Sequence, residues 1–118
     1  MFGIALVASA GDYINLGEFI KDPKAADQTA FVQAAMTAAA KSGKALYVPG
    51  GKTYRLESTI DIRGVPEIFG NGQPRFVMKN PEKDIFRSEH IWRIRIAGIT
   101  FEGGRDQIVL GNRNIDRG

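Results

Sequence analysis

The chain has 118 residues, 43% of them hydrophobic and 25% charged, with a formal net charge of +3 and no cysteine. That balance is too apolar for a disordered chain and fits one folded domain or part of one. The missing thiols exclude disulfides, thiol catalysis and Cys-ligated zinc, and His90 alone gives little to build a His-rich metal site. Lys and Arg are scattered rather than gathered into a stripe, which argues against a nucleic-acid partner, and no apolar run is long enough to span a membrane.

In chain order, Phe2 to Ala8 is a short apolar run, and Ala8-Ser9-Ala10 has the small-x-small spacing of a signal-peptidase site. Residues 1–10 therefore read as a clipped secretory signal or as a first apolar strand. Tyr13 to Phe19 alternates as a strand should, with Ile14 and Leu16 on one side. A polar turn, Lys21-Asp22-Pro23-Lys24, leads to a helix. Asp27 is the expected N-cap. Phe31, Val32, Ala35, Met36 and Ala39 recur at the spacing of one apolar face, Lys41 complements the C-terminal dipole, and Gly43 can end the helix in a left-handed conformation. Ala45 to Val48 reads as a buried strand stopped by Pro49.

Past Val48 the pattern changes to short apolar runs separated by Gly, Pro, Asn and charged residues. The runs repeat. Leu46 lies 22 residues before Ile68, Tyr54 lies 22 before Phe76, and Ile60 lies 25 before Ile85. Matched forwards, Ile68 to Ile94, Phe76 to Ile99 and Ile85 to Ile108 give 26, 23 and 23. Leu46 to Leu110 thus reads as three coils of three short strands each. Strands this short bury an apolar face only by stacking on their counterparts in the next coil, as parallel ladders around a shared core. The first coil needs a cover, and the helix is the candidate. An antiparallel sandwich or barrel is the competing architecture.

These landmarks resemble a known group. Asp27 to Met36 (DQTAFVQAAM) looks like the helix that opens members of the pectate lyase superfamily. Ala45 to Leu56 (ALYVPGGKTYRL) resembles the family's V-Y-V-P-x-G-x-Y-x-L segment, and Thr59-Ile60, Gly70-Asn71-Gly72 and Ile94 to Gly104 (IRIAGITFEGG) resemble later landmarks. The sequence departs from the family in the loop before the helix and at Gln28, where a second acidic residue is usual. The resemblance implies a mainly β protein, a right-handed parallel β-helix of about three coils with an N-terminal capping α-helix. Residues 11–44 would be the first strand and cap, and 45–118 the coils, as the N-terminal part of a longer protein. It further implies secretion to the cell surface, periplasm or medium, with a polysaccharide as partner and an oligomer as one form of assembly. The parent would be a polysaccharide lyase or glycoside hydrolase, or a non-enzymatic glycan-binding adhesin or tailspike. No cofactor is expected in this segment, with calcium in the parent if it is a lyase, and no catalytic residue is assigned here.

For ligand contacts the candidates are Arg93, Arg95, Glu102, Arg105 and Asp106. The two arginines alternate with Ile94 and Ile96 and so point outward if the isoleucines point in, where a guanidinium can grip a sugar carboxylate in bidentate fashion. Glu102, Arg105 and Asp106 flank the Gly103-Gly104 turn, and they read equally as an ordinary solvated turn. Trp92 offers a ring for stacking or for packing. Ser88-Glu89-His90 sets triad residue types side by side, which counts against a triad, since triads assemble from distant positions.

Overall fold

A helix built almost entirely from alanine and other good helix formers needs a firm stop, and here it has one. In the computed structural model, which describes residues 12–89 and 94–110, helix α1 spans Thr29–Ser42 and ends at Gly43, whose φ of 69° is left-handed. Gly43 N–H closes back on the carbonyls of Ala39 and Ala40. The start differs from expectation by one residue. Gln28 occupies the cap position without a side-chain capping bond, while Asp27 Oδ1 accepts both the Thr29 N–H (3.0 Å) and the Thr29 hydroxyl (2.6 Å). The hydroxyl above all, with that N–H, holds the Asp27 carboxyl below the usual carboxylate range. Val32, Ala35, Met36 and Ala39 are fully buried, but Phe31 sits half-buried at the margin of that face.

The strands are β1 (Tyr13–Asn15), β2 (Ala45–Val48), β3 (Thr53–Leu56), β4 (Ile60–Asp61), β5 (Glu67–Gly70), β6 (Arg75–Met78), β7 (Phe86–Ser88), β8 (Arg95–Ala97), β9 (Thr100–Gly103) and β10 (Ile108–Leu110). The expected strand over Tyr13 to Phe19 stops at Asn15, because Asn15 Oδ1 accepts the Gly17 N–H at 2.8 Å and starts a 3₁₀ turn, Leu16–Glu18. Among the described residues all pairings are parallel and make three sheets, in the orders β1-β2-β5-β8, β3-β6-β9 and β4-β7-β10. From β2 onward the chain visits the three sheets in the same order three times. The expected parallel stacking of successive rounds is present, and the antiparallel alternative is not.

Register matches the sequence reading in the early rounds, with Leu46 beside Ile68, and Tyr54 and Leu56 beside Phe76 and Met78. Later it differs. Ile68 pairs with Ile96 rather than Ile94, Phe76 with Phe101 rather than Ile99, and Ile60 and Ile108 both with Phe86 rather than Ile85. Two contacts decide this. Gly70 lies so close to Gly98 that a Cβ on Gly70 would stand 2.6 Å from the Gly98 carbonyl oxygen, which aligns the residues two before each glycine. Inside the core, Phe76 stacks on Tyr54 at 5.2 Å and on Phe101 at 6.2 Å, while Phe86 meets Phe76 and Phe101 edge-on at 5.0 and 5.2 Å. Spacing alone could not separate Ile85 from Phe86, because both are buried.

The first-round strands would otherwise present a bare edge of N–H and C=O groups. For the first sheet, β1 covers it. For the other two, α1 and its cap residue Gln28 do so, mostly with side chains. Arg55 N–H donates to Gln28 Oε1 (2.9 Å) while Gln28 N–H donates to the Arg55 carbonyl (2.7 Å). Asp61 N–H donates to Gln33 Oε1 (2.9 Å) and Gln33 Nε2 donates to the Asp61 carbonyl (3.0 Å). Between them Thr29 Oγ1 accepts from the Glu57 and Ser58 N–H groups at 3.0 and 3.3 Å. Gln28 is 1% exposed, and its Nε2 also donates to the Asp22 and Pro23 carbonyls.

Replacing Gln28 by Ala strands a part-buried Arg55 N–H and should cost about 1–3 kcal/mol, against about 0.5–1.5 kcal/mol for Gln33→Ala at a more exposed edge. Urea denaturation measures both, and equal losses would contradict the burial argument. Met36→Ala should cost about 2–5 kcal/mol as a core truncation, and Phe31→Ala about 1 kcal/mol as a marginal one.

Tyr54 supplies a pH test. Burial first, and then the neighbouring Tyr47, pushes its hydroxyl up to about 12 from the usual 10.0. The hydroxyl donates to the Pro49 carbonyl at 3.1 Å. Between those values the unfolded chain loses the phenolic proton before the folded one does, so this contribution is whole below pH 10 and declines as pH rises through 12. The loss should be on the order of 2–3 kcal/mol. Tyr54→Phe should flatten that part of the stability profile, read by denaturant titration across the range.

Candidate functional site

The sequence-derived candidates do not converge. Arg95 lies on the outer side of the first sheet, exposed, in register with Glu67. Glu102 lies on the outer side of the second sheet, where Arg75 on the neighbouring strand holds it at 2.9 Å. Arg105 and Asp106 lie in the turn that enters the third sheet. Arg105 Nε and one terminal nitrogen donate to the two carboxylate oxygens of Asp84 at 3.2 Å each, and Asp106 Oδ2 is 3.9 Å from the same Nε. Asp84 is 2% exposed, so this fork ties the 79–85 turn to the next round rather than facing a ligand. Hydrogen bonding to Asp84 and then its charge push the Arg105 guanidinium further up. Arg93, Trp92, His90 and the segment 1–10 lie outside the described residues.

A charged cavity lies elsewhere, clear of these candidates. On the outer side of the third sheet a pocket of about 350 Å³ is lined by Thr59, Asp61, Arg63, Arg87, Ser88 and Glu89. The local sequence explains it. In Ile60-Asp61-Ile62-Arg63, the isoleucines are fully buried and the charged residues exposed; in Phe86-Arg87-Ser88-Glu89, Phe86 and Ser88 are buried while Arg87 and Glu89 face outward. Register then sets Asp61 beside Arg87. Asp61 Oδ1 accepts the Arg63 N–H at 2.9 Å, which folds the chain back after β4. Arg87 and Glu89 approach to 3.5 Å with both side chains well exposed, at 43% and 63%. Such an exposed pair adds little stability, so a ligand carboxylate can take Glu89's place on Arg87 at small cost.

Gln33 of the cap fixes the backbone of Asp61 from below, so this pocket rests on the helix contact described above. Ser88 Oγ is buried on the inner side and has no hydrogen-bond partner among the described residues. The arrangement suits an oxygen-rich ligand that carries a carboxylate: the Arg87 guanidinium on β7, the Arg63 guanidinium in the turn after β4, a threonine hydroxyl, and carboxylates able to accept hydrogen bonds from ring hydroxyls. The sequence signal for it was present as charge alternating with burial in two strands one round apart. It went unseen because each strand is only two or three residues long, and their register sets the juxtaposition.

Among the described residues no group of three or more His, Cys, Asp or Glu side chains gathers as a metal site, and no helix is long and apolar enough to cross a membrane. The chain matches no family model, no curated protein and no solved structure.

Proposed function

We propose that the three parallel sheets are successive coils of a right-handed parallel β-helix, opening a secreted protein that acts on or binds an acidic polysaccharide. The pocket on the third sheet would hold a uronate unit. The fixed order in which the chain visits three parallel sheets supports the β-helix, together with the resemblance of the helix and the ALYVPGGKTYRL segment to the pectate lyase superfamily. One observation carries the functional reading: Arg63 and Arg87 converge on one pocket beside Thr59, with acceptors Asp61 and Glu89 at its rim. A sugar carboxylate would take the place of Glu89 on Arg87 in a bidentate contact, and neighbouring ring hydroxyls would donate to Asp61 and Glu89.

The same geometry favours binding over bond cleavage by this segment. Asp61 and Glu89 are exposed, and neither has the apolar enclosure that prepares a carboxyl group to act as a general acid. Cleavage, whether lyase with calcium or hydrolase with paired carboxylates, would need groups other than these two.

Calorimetric titration with an oligogalacturonate and its methyl ester tests the reading. The acid should bind, the ester at least tenfold more weakly, and Arg87→Ala or Arg63→Ala should reduce acid binding by about tenfold, or 1.4 kcal/mol. Affinity should also fall as salt rises. Equal binding of acid and ester, or of variant and parent chain, would refute the assignment.

A further inference from the structure

The cap leaves one gap in the first-round edge, and we propose that this gap seats a small N-acylated amino acid. In β3 the backbone groups address alternate sides. Arg75 N–H donates to the Lys52 carbonyl at 3.0 Å and Lys79 N–H to the Leu56 carbonyl at 2.8 Å, both towards the β6 side. Arg55 turns the other way, where Gln28 pairs with its N–H and its carbonyl. Thr53, two residues earlier, therefore directs its own N–H and C=O to the cap side as well. No described residue meets either group there.

Facing them is a recess of about 390 Å³, set between β3 and the loop before α1 and lined by Ile20, Pro23, Gln28, Lys52, Thr53 and Arg55 among others. Its size is that of a small-molecule site. The loop is already fastened over it, since Gln28 Nε2 donates to the Asp22 and Pro23 carbonyls and Arg55 to those of Pro23 and Ala25. The recess is thus formed before any ligand enters.

The pattern of groups names the ligand class. One donor and one acceptor on a single strand residue are completed by one residue that exchanges both bonds, as in a close antiparallel pair. In chain order the Thr53 N–H lies towards Lys52 and its C=O towards Arg55, so the ligand's acceptor belongs on the Lys52 side. Charge decides what that acceptor is. Lys52 and Arg55 are the charged residues of the lining, and no Asp or Glu joins them. A carboxylate fits beside Thr53 N–H and Lys52. A free ammonium at the other end would meet two like charges and no counter-ion, whereas an amide N–H supplies the single donor that the Thr53 carbonyl needs. A carboxylate and an amide N–H on one carbon make an N-acyl amino acid, whose apolar side chain Ile20 and Pro23 can cover. The third-sheet pocket differs on this point, because Asp61 and Glu89 line it beside its arginines and call for hydroxyl donors on the ligand. A peptide strand added to the sheet fits less well, since Gln28 already fills the edge opposite Arg55.

The test titrates the isotope-labelled whole chain with N-acetyl-L-leucine, read by amide NMR and calorimetry. The acid should bind, shift the Thr53 amide resonance and slow its hydrogen exchange about tenfold or more at saturation. N-acetyl-L-leucinamide, without the carboxylate, and free L-leucine, with an ammonium, should each bind at least threefold more weakly. Lys52→Ala, at an exposed side chain, should bring the acid down to the level of the amide without moving the melting temperature. Thr53→Pro deletes the N–H at the first residue of an edge strand, where proline is tolerated, and should abolish binding; should that variant unfold, the Lys52→Ala result and the Thr53 resonance still decide. Arg87→Ala should change nothing, separating this recess from the acidic-sugar pocket. Acetyl-glycyl-glycyl-leucine should bind no more tightly than the single acylated residue. Absence of binding would overturn the proposal, as would binding that leaves the Thr53 amide unmoved, equal affinity for acid and amide, or a tenfold gain for the longer peptide.

Discussion

A parallel sheet has to begin somewhere, and its first strand presents backbone groups that water or another chain will claim. In this molecule that constraint falls on three sheets at once, at the same end. The first sheet is continued by a short strand, and the other two are closed by a helix whose side chains imitate a neighbouring strand. Gln33 offers both halves of its side-chain amide to the Asp61 backbone, Gln28 offers Arg55 its side-chain oxygen and its own backbone N–H, and Thr29 serves the turn between them. Everything stacked above inherits its starting register from these few bonds, including the Asp61 backbone beneath the third-sheet pocket.

This gives a physical account of residues that looked ordinary. Gln28 uses both halves of its side-chain amide. A carboxylate could accept the Arg55 N–H but could not donate to the Asp22 and Pro23 carbonyls, as the amide does. The loop before the helix is thereby tied to the cap residue. Arg55 completes it, donating to the Pro23 and Ala25 carbonyls between 3.0 and 3.2 Å.

Much of the architecture was legible in the sequence because it rests on local rules. The helix declares itself by the spacing of Val32, Ala35, Met36 and Ala39 and by Gly43, and the first two rounds by the shared interval from Leu46 to Ile68 and from Tyr54 to Phe76. What the sequence hid is what depends on contact. Apolar residues at Ile94, Ile99 and Ile85 are as plausible by pattern as Ile96, Phe101 and Phe86, and only the Gly70–Gly98 approach and the stacked rings choose between them. The candidate sites followed the same division. Single outward residues such as Arg95 and Glu102 could be nominated one by one. Their partners, Arg75 for Glu102 and Asp84 for Arg105, come from a round away.

The turn at 79–85 illustrates a wider property of the design. Its counterpart in the previous round, 57–59, is shorter, and the longer turn is pinned by the Asn80 side chain to the Glu82 N–H and by Asp84 to Arg105. The strands on either side still meet their neighbours in register. Shape at the corners is thus uncoupled from alignment in the ladders, since lengthening a turn costs little closure entropy. A lineage carrying this scaffold could alter the walls around a surface pocket, one corner at a time, while the interior stays the same.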